Sequence, residues 1–286
     1  MISNSTPEKN QDQETTPEPP EKPGVRRIAL GVEYDGSPYC GWQRQSHSPS
    51  VQQCLEKALS QVADEPVSLV CAGRTDTGVH ASGQVVHFET AAIRTEHNWL
   101  MGVNSNVDRS IALVWAKEVD TSFHARFSAM SRTYRYIIAN TACRPAIMHQ
   151  GLTWVRDPLD EQAMDRSLAK IKGERDFSSY RGAGCQSNSP FRCVQHTKVF
   201  RRGSLVVVEI QANAFLLHMV RNLVGTLLEV GRGNADEHEM LRVLELKDRT
   251  RAGITAPPYG LYLVKVGYPA HFLLPERPVG PAFLAE

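Results

Sequence analysis

An arginine and an aspartate lie two residues apart in the segment 71–81, CAGRTDTGVHA. They are Arg74 and Asp76, and Gly73 and Gly78 stand on either side of them. A positive charge within a few ångströms favours the ionised carboxylate, which is the form that a nucleophile needs. Glycine lets the backbone turn sharply or approach a ligand closely. The residue types therefore suit an active-site loop with Asp76 as its reactive group.

The same residues also suit a simple β-turn, and spacing alone favours that interpretation. Asp hydrogen-bonds readily to its own backbone in turns, and Gly accepts a positive φ. The flanking segments Val67–Val70 and Gln84–Phe88 are rich in β-formers. We expect these two strands to hold both ends of the loop.

The composition of the chain is that of a globular protein. Its 286 residues are enough for two ordinary domains. No apolar run approaches the roughly 20 residues of a membrane span, and the N-terminus has no secretory signal pattern, so we expect a cytoplasmic protein. The six cysteines include no C-x-x-C pair, and we expect neither a metal site nor disulfides.

Residues 1–24 are acidic and proline-rich, and they are expected to form a disordered tail because they have almost no apolar side chain to bury. They carry a net charge of −3, which leaves +4 on residues 25–286. That excess is too small to indicate a nucleic-acid partner. Local clusters such as Arg132 with Arg135 are candidate phosphate contacts, although a solvated face explains each cluster equally well.

Hydrophobic periodicity predicts the order β-α-β-β-α-β twice. The elements of the first half are a strand at 26–34, a helix starting after an N-cap at Ser50, strands at 67–70 and 84–88, a helix at 96–102 and a strand at 111–117. Those of the second half are a strand at 132–139, a helix at 159–171, strands at 192–200 and 205–212, a helix at 215–230 and a strand at 261–268. A further helix at 236–244 is expected to start after an Asn234 cap.

The predicted fold class is α+β, with two tandem ferredoxin-like (split β-α-β) units. We assign residues 25–124 to an N-terminal domain that carries the Asp76 loop, and residues 125–286 to a C-terminal domain. The two antiparallel sheets are expected to abut, with an active-site cleft between the units. An open sheet face of this kind is a platform on which RNA can be bound.

Two further side chains are candidates for the site. Tyr134 lies on a predicted strand, where it could stack on an extruded base and move a proton, although aromatic stripes are usually core. Arg221 lies in a mostly apolar helix. A buried guanidinium needs a partner, which could be Asp76 or a substrate phosphate, unless the side chain extends to the helix end.

Arg44 and His80 are further candidates for substrate contact. Arg44 belongs to a polar loop after the first strand, which could contact RNA or merely turn. His80 and His87 are seven residues apart, which is no recognised metal-ligand spacing, so structural histidines are favoured there.

Six segments carry a resemblance to one family. They are GRTDTGVH at 73–80, YDG at 34–36, GWQRQ at 41–45, FHAR at 123–126, YRY at 134–136 and HMVRNLVG at 218–225. In this order they closely resemble the TruA-type tRNA pseudouridine synthases, from about Arg26 to the C-terminus.

The resemblance implies an isomerase without cofactor or metal that acts on tRNA. Such an enzyme cleaves the N-glycosidic bond of uridine and rejoins the base through C5, in the anticodon stem-loop around positions 38 to 40. It implies that Asp76 is the nucleophile, Arg74 its ion-pair partner and Tyr134 the ring against the target base. Arg221 matches an arginine of the family's active-site helix. The resemblance also implies a homodimer, with the tRNA lying across both subunits.

Two other functions compete with this one. A non-catalytic RNA-binding protein could use the same sheet platform, but a carboxylate facing phosphate-rich RNA would weaken its binding. A metal-dependent hydrolase could use His80, His87 and Asp76 as ligands.

Overall fold

The computed structural model describes residues 24–284. The predicted tail at 1–24 therefore lies outside the described residues, except for Gly24. Within residues 24–284 the chain forms ten β-strands and five α-helices, which is a mixed α+β architecture. None of the helices in this part is long and apolar enough to cross a membrane.

The first half of the described chain forms one end of the sheet. Its elements are β1 (Arg26–Tyr34), α1 (Val51–Ala63), β2 (Val70–Cys71), β3 (His80–Thr90), α2 (Glu96–Asn104) and β4 (Ile111–Val119). The strands run in the order β4-β1-β3, and the short β2 pairs with β3. All of these pairings are antiparallel.

The second half forms the other end. Its elements are β5 (Ser131–Asn140), β6 (Thr153–Val155), α3 (Glu161–Ala169), β7 (Gly173–Asp176), β8 (Phe191–Arg202), β9 (Leu205–Ala212), α4 (Met219–Gly231), α5 (Glu239–Leu246) and β10 (Leu261–Gly267). The strands run in the order β10-β5-β9-β8-β7, and β6 pairs with β5.

The two halves share one continuous sheet, whereas the sequence predicted two sheets that abut. β10 pairs with β3 in parallel, with Tyr262 opposite His80 and Leu263 opposite Ala81. The large core cluster accordingly includes residues of both halves. A smaller cluster around Ile137 and Val207 includes Leu284, near the end of the described chain. Since successive strand side chains alternate between faces, Ile137 and its neighbour Ile138 contribute to different clusters.

Most predicted elements are present, and the errors lie at their ends. Ser50 caps α1 as predicted, because its side chain accepts a hydrogen bond from the amide of Gln53. The predicted helix at 215–230 begins at Met219, after His218 takes a left-handed φ of 58°. The predicted helix at 236–244 begins at Glu239, and Asn234 does not cap it; the Asn234 amide instead donates to Glu229.

Candidate active site

The loop that carries Asp76 connects β2 to β3 and is held at several points. The Gln84 amide donates to the Gly73 carbonyl at 2.6 Å. The hydroxyls of Tyr34 and Thr75 lie 2.7 Å apart, which joins the loop to β1. The Trp42 amide donates to the Thr75 carbonyl at 3.0 Å. The backbone that leads into Asp76 is thereby fixed.

Asp76 opens a tight turn. The Val79 amide donates to the Asp76 carbonyl at 3.1 Å, and Gly78, the third residue of the turn, has a φ of +75°. A positive φ at the third position suits a type II turn. The turn interpretation is thus correct for the backbone, and this turn directs the Asp76 side chain into a cleft.

Two basic side chains of the α4 region approach the Asp76 carboxylate. His218 Nε2 lies 3.5 Å from Asp76 Oδ2, and Arg221 Nη1 lies 3.8 Å from the same oxygen. The Asp76 side chain is 31% exposed, so solvent or a ligand can reach it. Arg221 also donates from Nε to the Ala256 carbonyl at 2.8 Å, which fixes its guanidinium against the protein. Arg221 therefore has the carboxylate partner that its position in an apolar helix required.

Arg74 differs from the expectation that it pairs with Asp76. It is exposed and lines the cleft, and among the described residues it forms no ion pair with the carboxylate. Arg74 and Asp76 are close in sequence, but the basic side chains that approach the Asp76 carboxylate belong to the α4 region. The exposed Arg74 guanidinium is placed where it can meet a ligand in the cleft.

Tyr134 lies on β5 and lines the same cleft as Asp76. Its ring packs edge-on against Phe215, with the ring centroids 5.0 Å apart. Burial, and secondarily the negative charge of Asp76, raise the pKa of the Tyr134 phenol. The phenol is therefore neutral near pH 7, which suits packing against a base or donating a hydrogen bond better than removing a proton.

The cleft has a volume of about 920 Å³, which is within the range of pockets that enclose a small ligand. Its charge is strongly asymmetric. Of the described residues that line it, Asp76 is the one acid, and five are arginines: Arg74, Arg126, Arg132, Arg192 and Arg221. A lining of this kind favours a polyanionic ligand and leaves one carboxylate facing it.

His80 and Arg44 are not among the residues that line the cleft around Asp76. His80 is buried, and its Nε2 lies 2.8 Å from the Gln150 carbonyl and 3.1 Å from the Tyr259 carbonyl. Its Nδ1 accepts from the Gly36 amide, and burial lowers its pKa. Nδ1 also lies 3.1 Å from Asp35 Oδ1, so both ring nitrogens are in contact with the protein. Arg44 pairs with Glu56, and neither side chain lines the cleft.

The proposed metal ligands are not assembled into a site. His87 is buried, and its Nδ1 accepts from the Ala125 amide at 3.0 Å. Nowhere in residues 24–284 do three His, Cys, Asp or Glu side chains form a group that could hold a metal ion. The donor arrangement gives no support to a hydrolase that uses His80, His87 and Asp76 together.

Sequence reasoning missed two residues of the site. His218 and Phe215 were both placed inside the predicted helix, whereas in the structure both precede its first residue, Met219. The spacing of His218 and Arg221, three residues apart, was the available signal. Residues at this spacing share one face at the start of a helix, so both can reach one carboxylate.

Comparisons with known proteins agree with this geometry. The family model described as tRNA pseudouridine synthase matches residues 31–128 and 168–269. A protein named tRNA pseudouridine synthase A from Yersinia pseudotuberculosis serotype O:1b (strain IP 31758) is 57% identical over 260 residues, which are 91% of this chain and 98% of the relative. One of the same name from Escherichia coli O9:H4 (strain HS) is 54% identical over 266 residues, which are 93% of this chain and 98% of the relative. The chain belongs to the tRNA pseudouridine synthase family.

Proposed function

We propose that this protein isomerises uridine to pseudouridine in tRNA, with Asp76 as the nucleophile. The observation that carries the proposal is the single carboxylate in a cleft lined by five arginines. A protein that only binds RNA gains nothing from a negative charge at that position. Family membership supplies the reaction, since the matching model and the relatives named above are all described as tRNA pseudouridine synthases.

The reaction breaks the bond between N1 of uracil and C1′ of ribose and forms a bond between C5 and C1′. N1 gains a proton, and C5 loses one to solvent. An ionised carboxylate can attack the ribose or the base and so release the glycosidic bond. The partly exposed Asp76, backed by two basic side chains, suits this role. The chemistry requires no cofactor and no metal ion.

The remaining cleft residues receive roles that follow from their positions. Tyr134 packs against the target base beside Asp76. Its position in the wall of the same cleft supports this role. Arg221 is the fixed positive charge beside the Asp76 carboxylate. Arg74, which is exposed and without an ion pair to Asp76, contacts the tRNA near the extruded nucleotide. Extrusion of a nucleotide costs a few kcal/mol, which phosphate contacts by such arginines can offset.

The architecture that we propose is a pair of ferredoxin-like units, at residues 25–124 and 125–286, with the cleft between them. The strand orders support it, because β4-β1-β3-β2 in the first half corresponds to β10-β5-β9-β8 in the second. Asp76 comes from the first unit, and Tyr134 and Arg221 come from the second.

The substrate site that we propose is the anticodon stem-loop, around positions 38 to 40, bound by a cytoplasmic homodimer with the tRNA across both subunits. The resemblance of six motifs to TruA-type enzymes supports this assignment. Mapping pseudouridine in tRNA from cells that lack the protein tests it. We expect losses confined to the anticodon arm; losses in another arm would contradict the site. Light scattering of the purified protein tests the dimer.

A further inference from the structure

The imidazole of His218 faces the Asp76 carboxylate. The residue is at the N-cap position of α4, but its side chain makes no capping hydrogen bond. In the part of the chain that the structure describes, the acidic side chain near the ring is Asp76. The residue nevertheless has a φ of 58°, a conformation that is costly for residues with a Cβ. Helix capping by the side chain therefore does not explain why a histidine occupies this left-handed position.

A glycine makes room for the ring. The Gly182 amide donates to the Leu217 carbonyl at 2.8 Å. A Cβ on Gly182 would lie 2.9 Å from that carbonyl oxygen and 3.1 Å from His218 Nδ1. The turn before α4 and the segment at Gly182 are thus in close contact, which seats the imidazole with Nε2 toward Asp76.

The two basic partners of Asp76 approach the same oxygen. Both His218 Nε2 and Arg221 Nη1 are close to Oδ2, at 3.5 and 3.8 Å. Each basic side chain makes its closest approach at Oδ2, and within the described residues no hydrogen bond reaches Oδ1. A carboxylate restrained at one oxygen has the other available for attack, and its rotation is limited. Contacts of this length shorten in many enzymes when substrate is bound.

We propose that His218 is a positioning residue, which donates from Nε2 to Oδ2 of Asp76 and so presents Oδ1 to the target nucleotide. The inference rests on the proposed role of Asp76 as the nucleophile. Arg221 supplies a fixed charge from α4, whereas His218 supplies a directed hydrogen bond from the turn before it. The two together define the orientation of the carboxylate plane.

A matched pair of variants tests this role. His218→Gln and His218→Leu both carry an unbranched Cβ, so both meet the same backbone cost at the left-handed φ. Only the glutamine amide can donate to Oδ2. The assay is tritium release from C5-labelled tRNA, with kcat and KM measured separately and the thermal midpoint recorded for each variant.

We expect kcat of His218→Leu to fall about 10- to 100-fold, because small misplacements of reacting groups lower rates by such factors. KM should change by less than about twofold, and kcat of His218→Gln should exceed that of His218→Leu by about fivefold or more. A smaller advantage for glutamine, or a change confined to KM, would overturn the inference. If both variants fail to fold, His218→Asn replaces them, because asparagine tolerates a left-handed φ and its amide is too short to reach Oδ2. Wild-type kcat in His218→Asn would then overturn the inference.

Asp76→Asn in the same assay separates the two proposals. If Asp76→Asn is inactive and the two His218 variants behave alike, only the positioning role fails. If Asp76→Asn retains turnover, the proposed function itself fails.

Discussion

At the residue scale, the surroundings of Asp76 differ from those of its neighbour in sequence. Asp76 is half-buried between His218 and Arg221, whereas Arg74 is exposed. The spacing of Arg74 and Asp76 suggested an ion pair between them, but side chains two residues apart in a turn need not face each other. The partners of Asp76 come from the α4 region, and no local pattern shows which carboxylate a distant helix will meet.

Tyr134→Phe tests what the phenol contributes. Because burial and the charge of Asp76 raise the pKa of Tyr134, the hydroxyl is a hydrogen-bond donor at pH 7 and the ring is the packing surface. We expect tRNA affinity close to wild type, since the ring remains, and kcat lower by about tenfold or more. Filter binding and tritium release measure the two quantities. Unchanged kcat would remove the hydroxyl from the proton steps.

At the element scale, the loop between β2 and β3 is fixed by contacts that come from outside it. Its Gly-Arg-Thr-Asp-Thr-Gly sequence predicts a turn correctly. Its rigidity comes from Tyr34, Trp42 and Gln84, which lie elsewhere in the chain. The same reason explains the wrong start of α4. Apolar periodicity extends to Phe215, but His218 has a left-handed φ where the chain contacts the segment at Gly182, so the helix begins only at Met219.

Gly41→Ala tests this support. Gly41 has a φ of +89°, and a Cβ there would lie 2.8 Å from the Thr75 carbonyl oxygen. The methyl group should displace the loop, lowering turnover at least about tenfold and the free energy of unfolding by about 1–3 kcal/mol.

Gly173→Ala is the control for Gly41→Ala. Gly173 has a similar φ of +95°, but no atom lies within 4 Å of the position that an added methyl group would take. We expect this variant to lose stability through the backbone alone and to keep wild-type turnover. Equal turnover in the two variants would show that the loop does not depend on its contact with Gly41.

At the scale of the whole molecule, the two halves are joined by one sheet and by side chains that cross between them. Arg132 on β5 donates to the Ala72 carbonyl in the first half and to the Asn213 carbonyl in the second. The Arg132 and Arg135 cluster, considered above as phosphate contacts, is used inside the protein, since Arg135 pairs with Glu209. Periodicity predicted the strands of each half, but it carries no information on the pairing of β10 with β3, which are far apart in sequence.

His87 makes the stability of the whole molecule sensitive to acid. The pKa of His87 is lowered to about 3. Burial is the main cause, and the charges of His124 and Arg27 act in the same direction. An unfolded histidine has a pKa of about 6.5. As the pH falls below that value, the unfolded chain binds a proton that the folded protein excludes, so stability decreases. The lowered pKa of His80 acts in the same direction.

Urea unfolding at two pH values tests this contribution. We expect His87 to account for about 2 kcal/mol of stability lost between pH 7 and pH 5. His87→Gln should lose less stability than wild type over this interval, while the same change at the exposed His47 should have no such effect. An identical loss in His87→Gln and wild type would contradict the assignment.

The central claim is that the Asp76 carboxylate carries out the chemistry. The most direct measurement is single-turnover tritium release from C5-labelled tRNA by Asp76→Asn, which keeps the size of the side chain and removes its charge. We predict a loss of at least about 1000-fold, with the thermal midpoint and tRNA affinity close to wild type. Turnover within about tenfold of wild type would contradict the account.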